Sequence, residues 1–203
     1  MDVIHDFSST TNEKTFQGYT VNTGAYLRRG LEIFRMKIEF FVLFTLVFFL
    51  LIAIPGFGIL ILQSLSAGFL LVALYLSSGK QVFFEDFFDG FKHFAGLLLF
   101  TLVSYIIIFV GFILLVIPGI YFVVSYVFAP FFIIFSKMDF WNAMETSRKL
   151  VGKEWFSIFG FLFVLVCINM LGAMALGIGL LFTVPFSYCA IYAAFDDIIG
   201  VSK

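Results

Sequence analysis

The sequence predicts an all-α, polytopic integral membrane protein: six transmembrane helices in three proline-tipped hairpins, with amphipathic helices at the cytoplasmic interface. Three observations carry this. Apolar residues make up 62% of the chain and charged residues 12%, against about a half and about a quarter in soluble domains. Three runs, 40–79, 94–136 and 155–195, contain no Asp, Glu, Lys, Arg or His. Each run is about twice the ~20 residues that cross a bilayer core, and each is divided by a proline: Pro55, Pro118 and Pro185.

Residues 1–24 are rich in Ser, Thr, Asn and Gly and read as a flexible cytoplasmic tail. The start is acidic, with no basic region leading into an apolar one, so no cleavable signal peptide is expected. Over 25–38, Leu27, Leu31, Phe34 and Ile38 recur at helical spacing and Arg28, Arg29, Glu32, Arg35 and Lys37 fill the rest. That segment reads as an interfacial helix turning into the first span. Residues 81–92 repeat the theme, with Phe84, Phe87, Phe88, Phe91 and Phe94 as an aromatic stripe suited to the headgroup boundary. A third such helix is expected over 137–154, where Phe140, Met144, Ser147, Val151 and Trp155 share a face.

The membrane region, 25–203, then reads as one domain of three repeats, about 25–79, 80–136 and 137–198. Proline cannot donate a helical hydrogen bond, and it biases the preceding residue away from the helical region. Gly56 and Gly119 supply a permissive backbone beside Pro55 and Pro118. The competing reading, one kinked helix per run, needs a helix of about 60 Å, twice the hydrocarbon thickness.

Every Lys and Arg, 12 in all, falls in the four charged segments and none at the proline tips. With six spans these segments share one face, and the positive-inside rule makes it cytoplasmic. Both termini are therefore expected in the cytoplasm, the chain lying in a bacterial inner (plasma) membrane. A net charge of −1 gives no reason to expect a nucleic-acid partner.

Ile117-Pro118-Gly119-Ile120-Tyr121, Tyr126-Val127-Phe128-Ala129-Pro130, Ala143-x-x-x-Ser147-x-x-Leu150 and Trp155 together resemble a group of bacterial multi-pass proteins. The group includes the membrane domain fused to some glycerophosphodiester phosphodiesterases and the YciC-like membrane proteins. The resemblance is sharpest over 110–160 and implies a six-helix membrane fold. It implies little about activity, and the phosphodiesterase activity is not expected to carry over to these 203 residues.

Catalytic signatures are not found. The two histidines, His5 and His93, lie outside the charge-free runs, too few for a zinc or iron centre. No G-x-S-x-G, P-loop or H-E-x-x-H occurs. Glu85, Asp86 and Asp89 read as a solvated helical turn. Cys167 and Cys189 sit in apolar runs and read as small hydrophobes, with a disulfide between them the other option. No enzyme, cofactor or metal is expected.

Two features remain as candidate contacts. Asn169 is the most polar side chain of the third run and is expected to bond across helices, a substrate contact being the alternative. Arg148, Lys149 and Lys153 form a basic cluster suited to anionic lipid headgroups, with Arg28, Arg29, Arg35 and Lys37 as a second. The expected function is a non-enzymatic membrane scaffold or accessory protein. Its partners would be the lipid bilayer and either further copies of itself or another membrane protein. A transporter or channel for a small or lipidic solute is the alternative, and a lipid-headgroup enzyme using Arg148, Lys149 and the 85–89 turn a third reading.

Overall fold

The computed structural model describes residues 18–54, 58–175 and 177–201. Among these no strand occurs; the chain is a succession of helices. In order they are α1 (Thr23–Met36), α2 (Ile38–Ile52), α3 (Gly58–Ser77), the 310 helix η1 (Phe84–His93), α4 (Phe94–Leu114), α5 (Val116–Ser125), α6 (Ala129–Phe135), α7 (Phe140–Val151), α8 (Trp155–Met174) and α9 (Leu180–Ile199). Among the described residues four stretches are long and apolar enough to cross a membrane: Leu60–Ser77, Phe84–Leu114, Val116–Phe135 and Trp155–Met174. They mark the chain as a membrane protein. Helix α2 is equally apolar but has only 15 residues, and α9 carries Asp196 and Asp197 near its end.

The described residues divide into two compact units, one of 18–21 and 93–159, the other of those between 22 and 92 and between 160 and 201. In the second unit, α1 begins where Asn22 accepts a hydrogen bond from the Ala25 amide at 3.0 Å, an N-cap. Its buried residues are Tyr26, Gly30, Ile33 and Phe34. Of the expected apolar face only Phe34 is buried; Leu31 and Ile38 are exposed. The face is rotated because the neighbour is a helix rather than lipid: a Cβ on Gly30 would lie 2.6 Å from the Ala190 Cα of α9. Glycine here lets two backbones meet.

The phenylalanine stripe of 84–94 also differs from expectation. Phe87 is fully buried, in an aromatic cluster with Phe41, Phe44 and Phe69. Ring centroids lie 4.6 Å apart for Phe44–Phe87 and 4.9 Å for Phe44–Phe69. Two glycines set this up reciprocally. A Cβ on Gly68 of α3 would strike the Phe87 carbonyl oxygen, and one on Gly90 of η1 would strike the Ser64 carbonyl oxygen of α3. The segment is packed onto α3 at backbone contact, and Phe88 and Phe91 are left at its outer edge.

In the first unit, α4 and α5 form a hairpin whose link is Leu115 alone, extended at φ −165°, ψ 145°. The expected tip at Pro118 lies three residues beyond, in the first turn of α5. Proline is at no disadvantage there, since the first amides of a helix have no intrahelical acceptor. Gly119 permits the close crossing: a Cβ on Gly111 would be 3.1 Å from the Gly119 Cα, and one on Gly119 would meet the Phe112 ring at 2.6 Å.

Pro185 is not a turn. It is buried inside α9, five residues past its start. The chain reverses earlier, where Gly177 adopts φ +77° and Gly179 precedes the helix. A left-handed residue stops a helix at little cost when it is glycine, so the glycines take the role expected of the proline. Pro55 and Gly56 lie outside the described residues.

Candidate functional site

Several residues of the 117–155 stretch come together in the first unit around a break in an apolar span. Helix α5 ends at Ser125 and α6 starts at Ala129, leaving 126–128 between them. Such a break strands backbone groups, which in a membrane interior must find partners within the protein. Ser147 of α7 supplies them. Its hydroxyl donates to the Ser125 carbonyl at 2.7 Å and accepts from the Phe128 amide at 3.2 Å. Ser147 is fully buried, as are Ala143 and Leu150 on the same face. The expected face of α7 is observed at Met144, Ser147 and Val151.

Trp155 closes the arrangement. Its indole stacks between Tyr121, with centroids 6.0 Å apart, and Phe159, 5.3 Å apart. Its Nε1 donates to the Tyr121 carbonyl at 3.4 Å. Residues just before α1 also touch α7, where the Tyr19 hydroxyl donates to the Leu150 carbonyl at 3.2 Å. The end of the expected flexible tail is thus docked; residues 1–17 lie outside the described residues.

Two cations of the basic cluster on α7 share one carboxylate. Arg148 grips Glu145 through Nε at 3.0 Å and Nη2 at 2.8 Å, and Lys149 approaches the same carboxylate at 3.5 Å. The Arg148 guanidinium holds the Glu145 carboxyl below its usual range, and Glu145, followed by Tyr121, raises Arg148 further. Lys153 is exposed beyond the end of α7.

Asn169, in the second unit, bonds within the α8–α9 hairpin. Its Nδ2 donates to the Leu165 carbonyl at 2.9 Å and to the Ser187 hydroxyl at 2.7 Å. Ser187 in turn donates to the Thr183 carbonyl at 2.7 Å. One turn on, a Cβ on Gly172 would lie 2.5 Å from Thr183 Oγ1, so glycine brings the helices together where the polar seam forms. Asn169 Oδ1 and Thr183 Oγ1 are buried without a hydrogen-bond partner among the described residues.

A charged pair was not legible in the sequence. Asp196 lies buried in α9 and pairs with Arg29 of α1. Beside it, the Tyr26 hydroxyl donates to Asp197 at 3.1 Å. Burial pushes the Tyr26 phenol up to about 12. Asp196 adjoins a charge-free run and reads as the start of a polar tail; only the fold shows that the helix continues through it.

No family profile, curated protein or solved structure matches this chain.

Proposed function

We propose that the protein is a six-span, non-enzymatic membrane scaffold or accessory protein, acting through lateral helix association with further copies or a membrane partner. The single observation that carries this is the contrast between its helices. Over 18 residues of each, 67% are buried in Leu60–Ser77, against 28% in the apolar part of Phe84–Leu114 and 22% in that of Trp155–Met174. The last two present Ile106, Phe109 and Ile113, and Phe156, Phe163 and Met170, all more than half exposed. Such surface is stable only against lipid or other apolar helices. The polar groups of the same spans are turned to internal work: Thr101 bonds the Leu97 carbonyl and Asn169 bonds Ser187.

Six spans follow from adding α2 and α9 to the four long stretches. The Arg29–Asp196 and Tyr26–Asp197 contacts support an even number of crossings, since they join α1, which precedes the first span, to the end of α9. The distribution of Lys and Arg supports that face being cytoplasmic. Crosslinking in native membrane should trap a defined oligomer or partner. Monomer alone under saturating crosslinker would refute the scaffold reading.

The transporter reading draws on the interrupted span at 126–128 and the unpartnered oxygens of Asn169 and Thr183. Solute flux in proteoliposomes, abolished by Asn169→Leu, would establish it in place of the scaffold.

A further inference from the structure

The structure separates the basic residues into those already satisfied and those that are not. Arg28 pairs with Glu32, Arg29 with Asp196, Lys92 with Asp89, and Arg148 and Lys149 with Glu145. Arg35 and Lys37 have no ion-pair partner among the described residues. They flank the junction at which α1 becomes α2, where Lys37 breaks the helix at φ −147°, ψ 49°. Lys37 Nζ stands 5.0 Å from the Phe40 ring centre, which keeps its ammonium beside the first turn of α2. Met36, 55% exposed, and Ile38, 36% exposed, alternate with the two cations. Lys80, Lys137 and Lys153 also lack ion-pair partners among the described residues, but none has a second unpaired cation two residues away, as Arg35 and Lys37 do.

We infer that the α1–α2 junction binds the headgroup of an anionic phospholipid, through Arg35 and Lys37, with Met36 and Ile38 against its acyl chains. Continuity selects the occupant. One residue separates α1 from an apolar helix, so the junction lies at the membrane surface if α2 is a span; the inference rests on the six-span reading in this respect. The inward face of α1 is already committed to α9 through Gly30 and Ala190. Only the outer edge, where these four residues lie, remains for lipid. The cluster singled out by sequence, Arg148 and Lys149, is the poorer site because Glu145 already occupies it.

The test is a native mass-spectrometry titration of the purified full chain with phosphatidylglycerol, phosphatidylcholine serving as the neutral comparison. Each basic residue near an anionic surface is worth about fivefold in affinity. Arg35→Gln with Lys37→Gln should weaken phosphatidylglycerol binding roughly thirtyfold and leave phosphatidylcholine unchanged. Arg148→Gln with Lys149→Gln should have less than about a tenth of that effect. Equal losses in the two double variants, or none in the first, would overturn the assignment. A separate arm checks the span itself: Leu50→Cys, at a position 64% exposed on α2, should resist a water-soluble maleimide in intact membrane. Protection without lipid discrimination removes the lipid site and leaves the span; free labelling removes both.

Discussion

Ser147→Ala is the sharpest test of how the interrupted span is held. The hydroxyl serves two backbone groups at once, the Ser125 carbonyl at 2.7 Å and the Phe128 amide at 3.2 Å. Alanine leaves both without that partner, and Ser147 is fully enclosed. An orphaned buried backbone group costs about 1–3 kcal/mol. Bonds between membrane helices measure nearer the low end, and alanine's better helix propensity returns about half a kcal/mol. The expected net loss is therefore about 2 kcal/mol, roughly a thirtyfold shift in the unfolding equilibrium. Equilibrium unfolding in mixed micelles, followed by tryptophan emission, measures it. Thr146→Ala on the same helix is the control. Ser147→Thr keeps the hydroxyl and should recover at least half the loss unless its added methyl clashes, which a larger loss than Ser147→Ala would reveal. A Ser147→Ala loss below about 0.5 kcal/mol would refute the claim that this hydroxyl completes the break.

Three further outcomes follow from the packing and the charges. Gly68→Ala and Gly90→Ala each place a methyl against a carbonyl oxygen across the α3–η1 contact. Each should destabilise by about 1–3 kcal/mol in far-UV circular dichroism melts, whereas Gly160→Ala, with open space around its Cβ position, should be neutral or stabilising. Arg29→Leu removes the cation paired with the buried Asp196 carboxylate and should cost about 3 kcal/mol, while Asp196→Asn, which removes the buried charge itself, should cost less; the reverse order in chemical-denaturant unfolding would count against the pair. Glu145 titrates lower in the fold than unfolded, because Arg148 favours its ionised form. Its contribution is complete above the unfolded value and is lost as pH falls through the folded one. Acidification should therefore weaken wild type more than Glu145→Gln below about pH 5, and superimposable pH profiles would contradict this.

Much of the architecture was legible because it depends on what is absent. Long stretches without charge must be helical in a membrane, and they are the stretches from which α2 to α6, α8 and α9 are built. The apolar side of α7 was legible too, because Met144, Ser147 and Val151 recur at helical spacing and all three are buried. What sequence periodicity could not convey is the nature of the neighbour a face meets. The α1 face turned towards Gly30 because backbone contact with Ala190 outcompetes a stripe of leucines. The phenylalanines of η1 turned inward for a similar reason, since glycines on both partners let the segment settle onto α3. Proline was read as the strongest local interruption, yet Pro185 sits within a helix and Pro118 within a first turn. In both hairpins the chain reverses at a residue free to leave helical geometry, Leu115 in one and Gly177 in the other. Asp196 was hidden because its partner lies 167 residues away in sequence.

The placement of Trp155 between Tyr121 and Phe159 has a spectroscopic consequence. The chain has two tryptophans, Trp141 and Trp155, and both belong to the unit of residues 93–159. Trp141 is largely exposed, while Trp155 sits in an aromatic stack. Emission from this protein therefore reports on one half of the molecule. The other half, cored by phenylalanine, is dark to it. Two melting curves that disagree, one by emission and one by circular dichroism, would measure how far the halves unfold independently.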